Sequence, residues 1–148
     1  MTTTNYQHTQ FGRTLVWATA ASFGVVCAIA AINPVTLRPL ALVAVLLAAI
    51  LWLFRNLTIT IDEQKLRAAF GPGLIYRQIP LADIESAIPV QIKWWEGWGI
   101  HLSRFGWLYN VSGWDAVAIR LRDGRQLAIG TDQAEELAAA IRRAASAR

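Results

Sequence analysis

Hydrophobic and polar positions divide the chain into three kinds of pattern. The first is continuous: residues 14–32 form a run of 19 without a charge, and residues 35–54 a second run of 20 broken only by Arg38. A helix of the first length spans roughly 28 Å at about 1.5 Å per residue, close to the hydrocarbon thickness of a bilayer. The second pattern alternates. Leu57, Ile59 and Ile61 are separated by Thr58 and Thr60, and Leu66, Ala68 and Phe70 carry the apolar face onward after Asp62-Glu63-Gln64-Lys65. A period of two is the mark of half-buried strands. The third pattern is helical: Ala134, Leu137, Ala138, Ile141 and Ala145 recur at three- and four-residue spacing, a narrow apolar stripe on a final helix over about 133–145.

These patterns predict three regions: a polar N-terminal tail (1–13), a transmembrane helical hairpin (14–55, helices 14–32 and 35–54) and a β domain with a C-terminal helix (56–148). Asn33-Pro34 between the apolar runs is a turn signal, because the residue before proline avoids helical geometry. Arg38 lies near an end, where its stem can reach the interface. A cleaved signal peptide is disfavoured, since signal cores run about 7–15 residues and a second apolar run follows at once. Ala18, Ala21, Ser22, Gly24 and Ala28 give the first helix a small-residue side that permits close helix approach.

Within the β region the turns set the register. Pairing Ile61 with Leu66 keeps both on one face and sets Asp62 opposite Lys65, a favourable cross-strand pair. Gly71-Pro72-Gly73 reads as a sharp turn. Ile75, Arg77 and Ile79 then alternate with Tyr76 and Gln78. The run through Ile84, Ile88, Val90 and Ile92 is interrupted by Pro80 and Pro89, which places it at edges or bends. Val117, Ile119 and Leu121 precede the final hairpin. A two-residue Asp123-Gly124 loop would put Leu127 on the wrong face. A three-residue loop, Arg122-Asp123-Gly124, pairs Ile119 with Leu127 and predicts Gly124 in the left-handed conformation. Asp132 is the expected N-cap of the last helix, with Glu135 three residues on.

Charge sharpens the picture. The chain carries 14 basic and 10 acidic residues, and all ten carboxylates lie after position 61. The excess of positive charge therefore flanks the apolar runs rather than lying on the β region, which fits a membrane protein and not a nucleic-acid binder. Arg13, Arg55, Lys65 and Arg67 near the helix ends, against Arg38 at the turn, put both termini on the cytoplasmic side of a bacterial inner membrane. The single cysteine, Cys27, allows no internal disulfide and no thiolate metal cluster. It is read as a packing residue.

Six or seven short antiparallel strands closed by one helix is the layout of a pleckstrin-homology-like (PH-like) barrel or sandwich, an α+β fold. The residues carry a resemblance too. Gly99-Ile100, then Gly106-Trp107-Leu108-Tyr109-Asn110-Val111-Ser112-Gly113, then Ala116-Val117 through Asp123-Gly124-Arg125 to Ile129-Gly130-Thr131-Asp132, with Ile79-Pro80-Leu81-x-x-Ile84 earlier, are similar to bacterial PH-like domains of small membrane proteins. The resemblance covers roughly 57–143. It implies no enzymatic activity and brings no agreed catalytic residues, and the phosphoinositide-binding basic motif of eukaryotic PH domains is not recognisable in this sequence.

Candidate chemistry is sparse. Five of the seven tryptophans fall between 94 and 114. Trp94, Trp95, Trp98 and Trp107 are the candidate docking surface, since indole joins apolar area to a hydrogen-bond donor; the bland reading is a small core built from large rings. Arg120, Arg122 and Arg125 cluster at the last hairpin and could meet anionic lipid or an acidic partner, or simply form a solvated strand face. His101 has no nucleophile marked out beside it. Asp83, Glu85 and Glu96 read as surface carboxylates, and Gly71-Pro72-Gly73 lacks the lysine of a phosphate loop. No catalytic residue, metal site or cofactor is expected. The expected partners are the lipid bilayer and a membrane protein or a second copy of the chain, with the β domain as an adaptor. The alternative is a lipid or small-ligand sensor using the Trp-rich loop.

Overall fold

The computed structural model describes residues 6–32 and 37–147. Its first element is one that the alternation does not announce. Residues Tyr6–Phe11 form strand β1, antiparallel to β2 (Asn56–Ile61), with Tyr6 opposite Ile61 and Phe11 opposite Asn56. The interior of β1 is Gln-His-Thr-Gln, so no apolar period marks it. It is held by the backbone ladder and by polar contacts such as Thr9 Oγ1 to Thr58 Oγ1 at 3.0 Å.

Helices α1 (Arg13–Ile32) and α2 (Leu37–Phe54) intervene between these two paired strands and pack on each other. Because β1 leads into α1 and α2 leads into β2, both helices root on one strand pair. The Gly12 N–H donates to the Arg55 carbonyl at 2.8 Å and ties the roots together. Among the described residues, α1 is the helix long and apolar enough to cross a membrane, with mean hydropathy 2.2, and only 6% of that apolar window is buried. A soluble protein's core helix would be mostly covered. α2 is a shorter apolar helix. The expected Asn33-Pro34 turn lies outside the described residues.

β2, β3 (Lys65–Phe70) and β4 (Ile75–Pro80) continue a meander, giving a four-stranded sheet in the order β1-β2-β3-β4. Ile61 pairs with Leu66 as the pattern required. Asp62 does more than face Lys65: its carboxylate accepts the backbone N–H groups of Gln64 and Lys65 at 2.8 Å each. Gly71 begins the next turn at φ +48°, and a Cβ there would lie 2.5 Å from the Leu53 carbonyl oxygen. That position accepts glycine because the β3–β4 turn presses directly on the end of α2.

The second sheet has five strands: β5 (Ile84–Gln91), β6 (Gly99–Ser103), β7 (Gly106–Asn110), β8 (Asp115–Leu121) and β9 (Gln126–Gly130), in the order β5-β8-β9-β7-β6. The expectation of wholly antiparallel pairing is corrected here, since β7 and β9 run parallel, with Trp107 opposite Leu127 and Tyr109 opposite Ile129. The last hairpin has the three-residue turn. Ile119 pairs with Leu127, and Gly124 sits at φ +86°. The two proline-marked strands, β4 and β5, are both sheet edges.

The core lies between the sheets. Leu57, Ile59, Leu66 and Phe70 from the first meet Val117, Ile119 and Ile129 from the second, all essentially without exposure. Helix α3 (Ala134–Ser146) adds Leu137, Ala138 and Ile141 to this core. Its cap differs from the expectation. Gln133 occupies the N-cap position without a side-chain cap, and the Thr131 hydroxyl accepts the Gln133 N–H at 3.1 Å. Asp132 instead holds His8 of β1. The carboxylate that the helix pattern claimed for a cap therefore fastens the N-terminal strand.

Candidate functional site

The tryptophans fall into two groups. Between β5 and β6 the chain makes a short 3-10 turn, Trp94–Glu96, whose Glu96 side chain accepts the Lys93 N–H at 2.7 Å. With the turn pinned from below, the indoles point outward: Trp94 and Trp95 are 75% and 62% exposed. They meet edge to face at 5.8 Å between ring centres, and the Lys93 ammonium lies 4.8 Å from the centre of the Trp95 ring, within cation–π range. Trp98 rests against Trp114 with ring centres 5.2 Å apart, and its indole N–H donates to the Gly113 carbonyl at 3.4 Å. Burying an aromatic core is therefore not what Trp94 and Trp95 do.

This loop has a definite neighbour. Trp98, Ile100 and Val111 line a largely apolar hollow of about 270 Å³ together with Leu15 of α1 and Ile50 and Phe54 of α2. The Trp-rich segment thus borders the root of the two apolar helices. Asn110, fully buried, also lines the hollow, accepting the Ser112 N–H at 3.2 Å and donating to the Gly113 carbonyl at 3.3 Å.

Trp107 belongs elsewhere. It lies on β7 facing a second cleft, of about 380 Å³, whose other walls are Arg77, Ile100, Tyr109, Leu121, Arg125, Gln126 and Leu127. Of the three hairpin arginines, only Arg125 reaches this cleft, and its guanidinium is already bound to Asp123 at 2.7 Å. The Arg125 backbone N–H, then its side chain, hold the exposed Asp123 carboxyl below the ordinary carboxylate range. Arg120 pairs with Glu85 at 3.1 Å. Arg122 donates from Nε to the Ala82 carbonyl at 2.9 Å, joining the hairpin to the turn before β5. The three arginines therefore do not converge on one site.

Two residues not singled out as site candidates belong to these surfaces: Trp114, tilted against Trp98, and Arg77, in the cleft with Trp107. Arg77 left a signal, a cation in the row Ile75-x-Arg77-x-Ile79 where an aliphatic side chain would fit the strand. Among the described residues, no group of three or more His, Cys, Asp or Glu side chains could hold a metal ion. No protein-family model matches the chain, and no curated protein or solved structure does either.

Proposed function

We propose that this chain is a membrane-anchored, non-enzymatic interaction module. In this reading α1 and α2 form a transmembrane hairpin, and the PH-like β domain is held at the cytoplasmic face of a bacterial inner membrane as an adaptor or subunit of a membrane-protein complex. The observation that carries it is the rooting of both apolar helices on the β1–β2 pair, with the Gly12–Arg55 bond at the base. Helices that leave a domain side by side must enter a bilayer from the same side. Arg13 and Arg55 stand at those roots, where positive charge favours the cytoplasmic face. Trp17 and Trp52, both exposed, lie toward the same end, at a level suited to indole. A cleaved signal sequence accords poorly with a first strand that is part of the sheet. Along α1, a Cβ at Gly24 would meet nothing within 4 Å, which leaves room for a partner helix.

A second reading, recognition of the lipid surface, is favoured by the place of Trp98 beside Leu15 and Phe54. On this reading the exposed Trp94 and Trp95, a few residues before Trp98, reach the headgroups. One experiment separates the two. The full chain and its Trp94→Ala/Trp95→Ala variant are purified in mild detergent from their own membranes. An adaptor brings a stoichiometric membrane-protein partner, and the variant loses it. Recovery of both forms with no partner sinks the adaptor reading. A variant whose domain alone becomes protease-sensitive in partner-free vesicles supports the lipid reading.

A further inference from the structure

On β4, Ile75, Arg77 and Ile79 stand opposite Phe70, Ala68 and Leu66 of β3, and those three are buried in the core. Arg77 is thus a cation in the inner row of a strand, facing the small Ala68. Strand β4 is an edge of its sheet, and β6 beside β7 is the edge of the other. The cleft of about 380 Å³ opens where these sheets part. That size is at the lower end of small-molecule pockets, roughly 300–1,000 Å³. Its lining includes two guanidiniums and no carboxylate. Arg125 is satisfied by Asp123 outside the cleft, whereas Arg77 makes no ion pair among the described residues. Across from it, Trp107 and Tyr109 stand on alternate positions of β7, with Ile100 beside them.

We infer that this inter-sheet cleft binds a small organic anion, its carboxylate or phosphate on the Arg77 guanidinium and its flat apolar body against Trp107 and Tyr109. A guanidinium left half-buried without a counter-ion favours an incoming anion strongly, because the partner's charge is met in a setting drier than bulk water. Aromatic walls accept a planar body with little loss of rotamer freedom. An inward charge on an edge strand also discourages edge-to-edge pairing of sheets, and the test distinguishes that role. The inference does not depend on what the Trp94–Trp98 loop touches.

The full chain in phosphatidylcholine nanodiscs is titrated with 4-(trifluoromethyl)benzoate, followed by fluorine NMR line broadening, and with the neutral 4-(trifluoromethyl)benzamide. The benzoate is expected to bind at least tenfold more tightly than the amide. Arg77→Gln is expected to weaken the benzoate at least tenfold and leave the amide unchanged. Gln126→Glu, which adds a carboxylate to the cleft without removing the cation, is expected to weaken the benzoate similarly. Equal binding of the two probes, or benzoate binding untouched by both substitutions, overturns the assignment. So does an Arg77→Gln protein that only self-associates, from a parent that never took up the benzoate.

Discussion

Tyr6 carries its phenol from the first strand to the start of α3, where its O–H donates to Gln133 Oε1 at 3.3 Å. Burial, then the nearby carboxylates of Glu136 and Asp132, push its pKa up, since each disfavours the phenolate. The sign of the linkage follows. A folded pKa raised above the unfolded value near 10 gives a contribution that is whole below pH about 10 and is lost as pH rises through the folded value. Thermal unfolding between pH 9 and 11, spanning roughly that range, should therefore show a falling midpoint in the native chain. Tyr6→Phe should flatten the fall. An identical pH dependence in both proteins would show that Tyr6 does not sense the fold. His8 belongs to the same seam through Asp132. Tyr6 and His8 together fasten a strand that has almost no apolar face of its own.

Among the elements, α3 closes the core with few large side chains. Leu137 and Ile141 are fully buried, while the rest of its apolar packing comes from alanines, Ala138 and Ala140 with the partly buried Ala134 and Ala144. Removing a large member of so small a set leaves a cavity that alanines cannot fill. Ile141→Ala is expected to cost about 3 kcal/mol, read as a lowered denaturant midpoint with unchanged slope; a loss near zero would mean that α3 is not docked on the sheets. Where elements follow burial, they were legible in the sequence. The Leu57–Phe70 hairpin keeps its register because a slip by one residue would turn Ile59 and Ile61 to solvent. The turn at Arg122-Asp123-Gly124 is set in the same way by Leu127. Elements held by other forces were not legible. β1 is polar and depends on partners such as Ile61 and Asn56, far along the chain, which no local window contains. Asp132 has the chemistry of a cap, and only the fold brings His8 to compete for it. The parallel β7–β9 pair likewise arises from long-range placement. Of the site residues, the exposure of Trp94 and Trp95 could be suspected from their clustering, but the separation of Trp107 from them could not. Nor could the different fates of Arg120, Arg122 and Arg125, which depend on Glu85, Ala82 and Asp123.

At the scale of the whole molecule, the chain is a β sandwich with two apolar helices inserted between its first two strands. The insertion matters mechanically. A hairpin joined to a domain by a single linker would let the domain swing. Here both helix roots are bound into one sheet, and the β3–β4 turn at Gly71 presses on the end of α2. Trp98 of the Trp-rich loop accordingly shares a hollow with Leu15, Ile50 and Phe54 at the helix roots, whereas the cleft beside Trp107 has no helix residue in its walls. On the proposed reading the loop faces the headgroups while the cleft opens between the sheets, so partner contact and ligand uptake use different surfaces.

The membrane reading rests on α1 residing in hydrocarbon, and the native thiol reports on it. Cys27, exposed on α1, lies fourteen residues beyond Arg13, roughly 21 Å along the helix at about 1.5 Å per residue. Closed membrane vesicles, both right-side-out and inverted, are treated with a membrane-impermeant maleimide before and after solubilisation in detergent. The account predicts no labelling of Cys27 from either side until detergent is added. Rapid labelling in intact vesicles, or recovery of the chain in the soluble fraction, would contradict it.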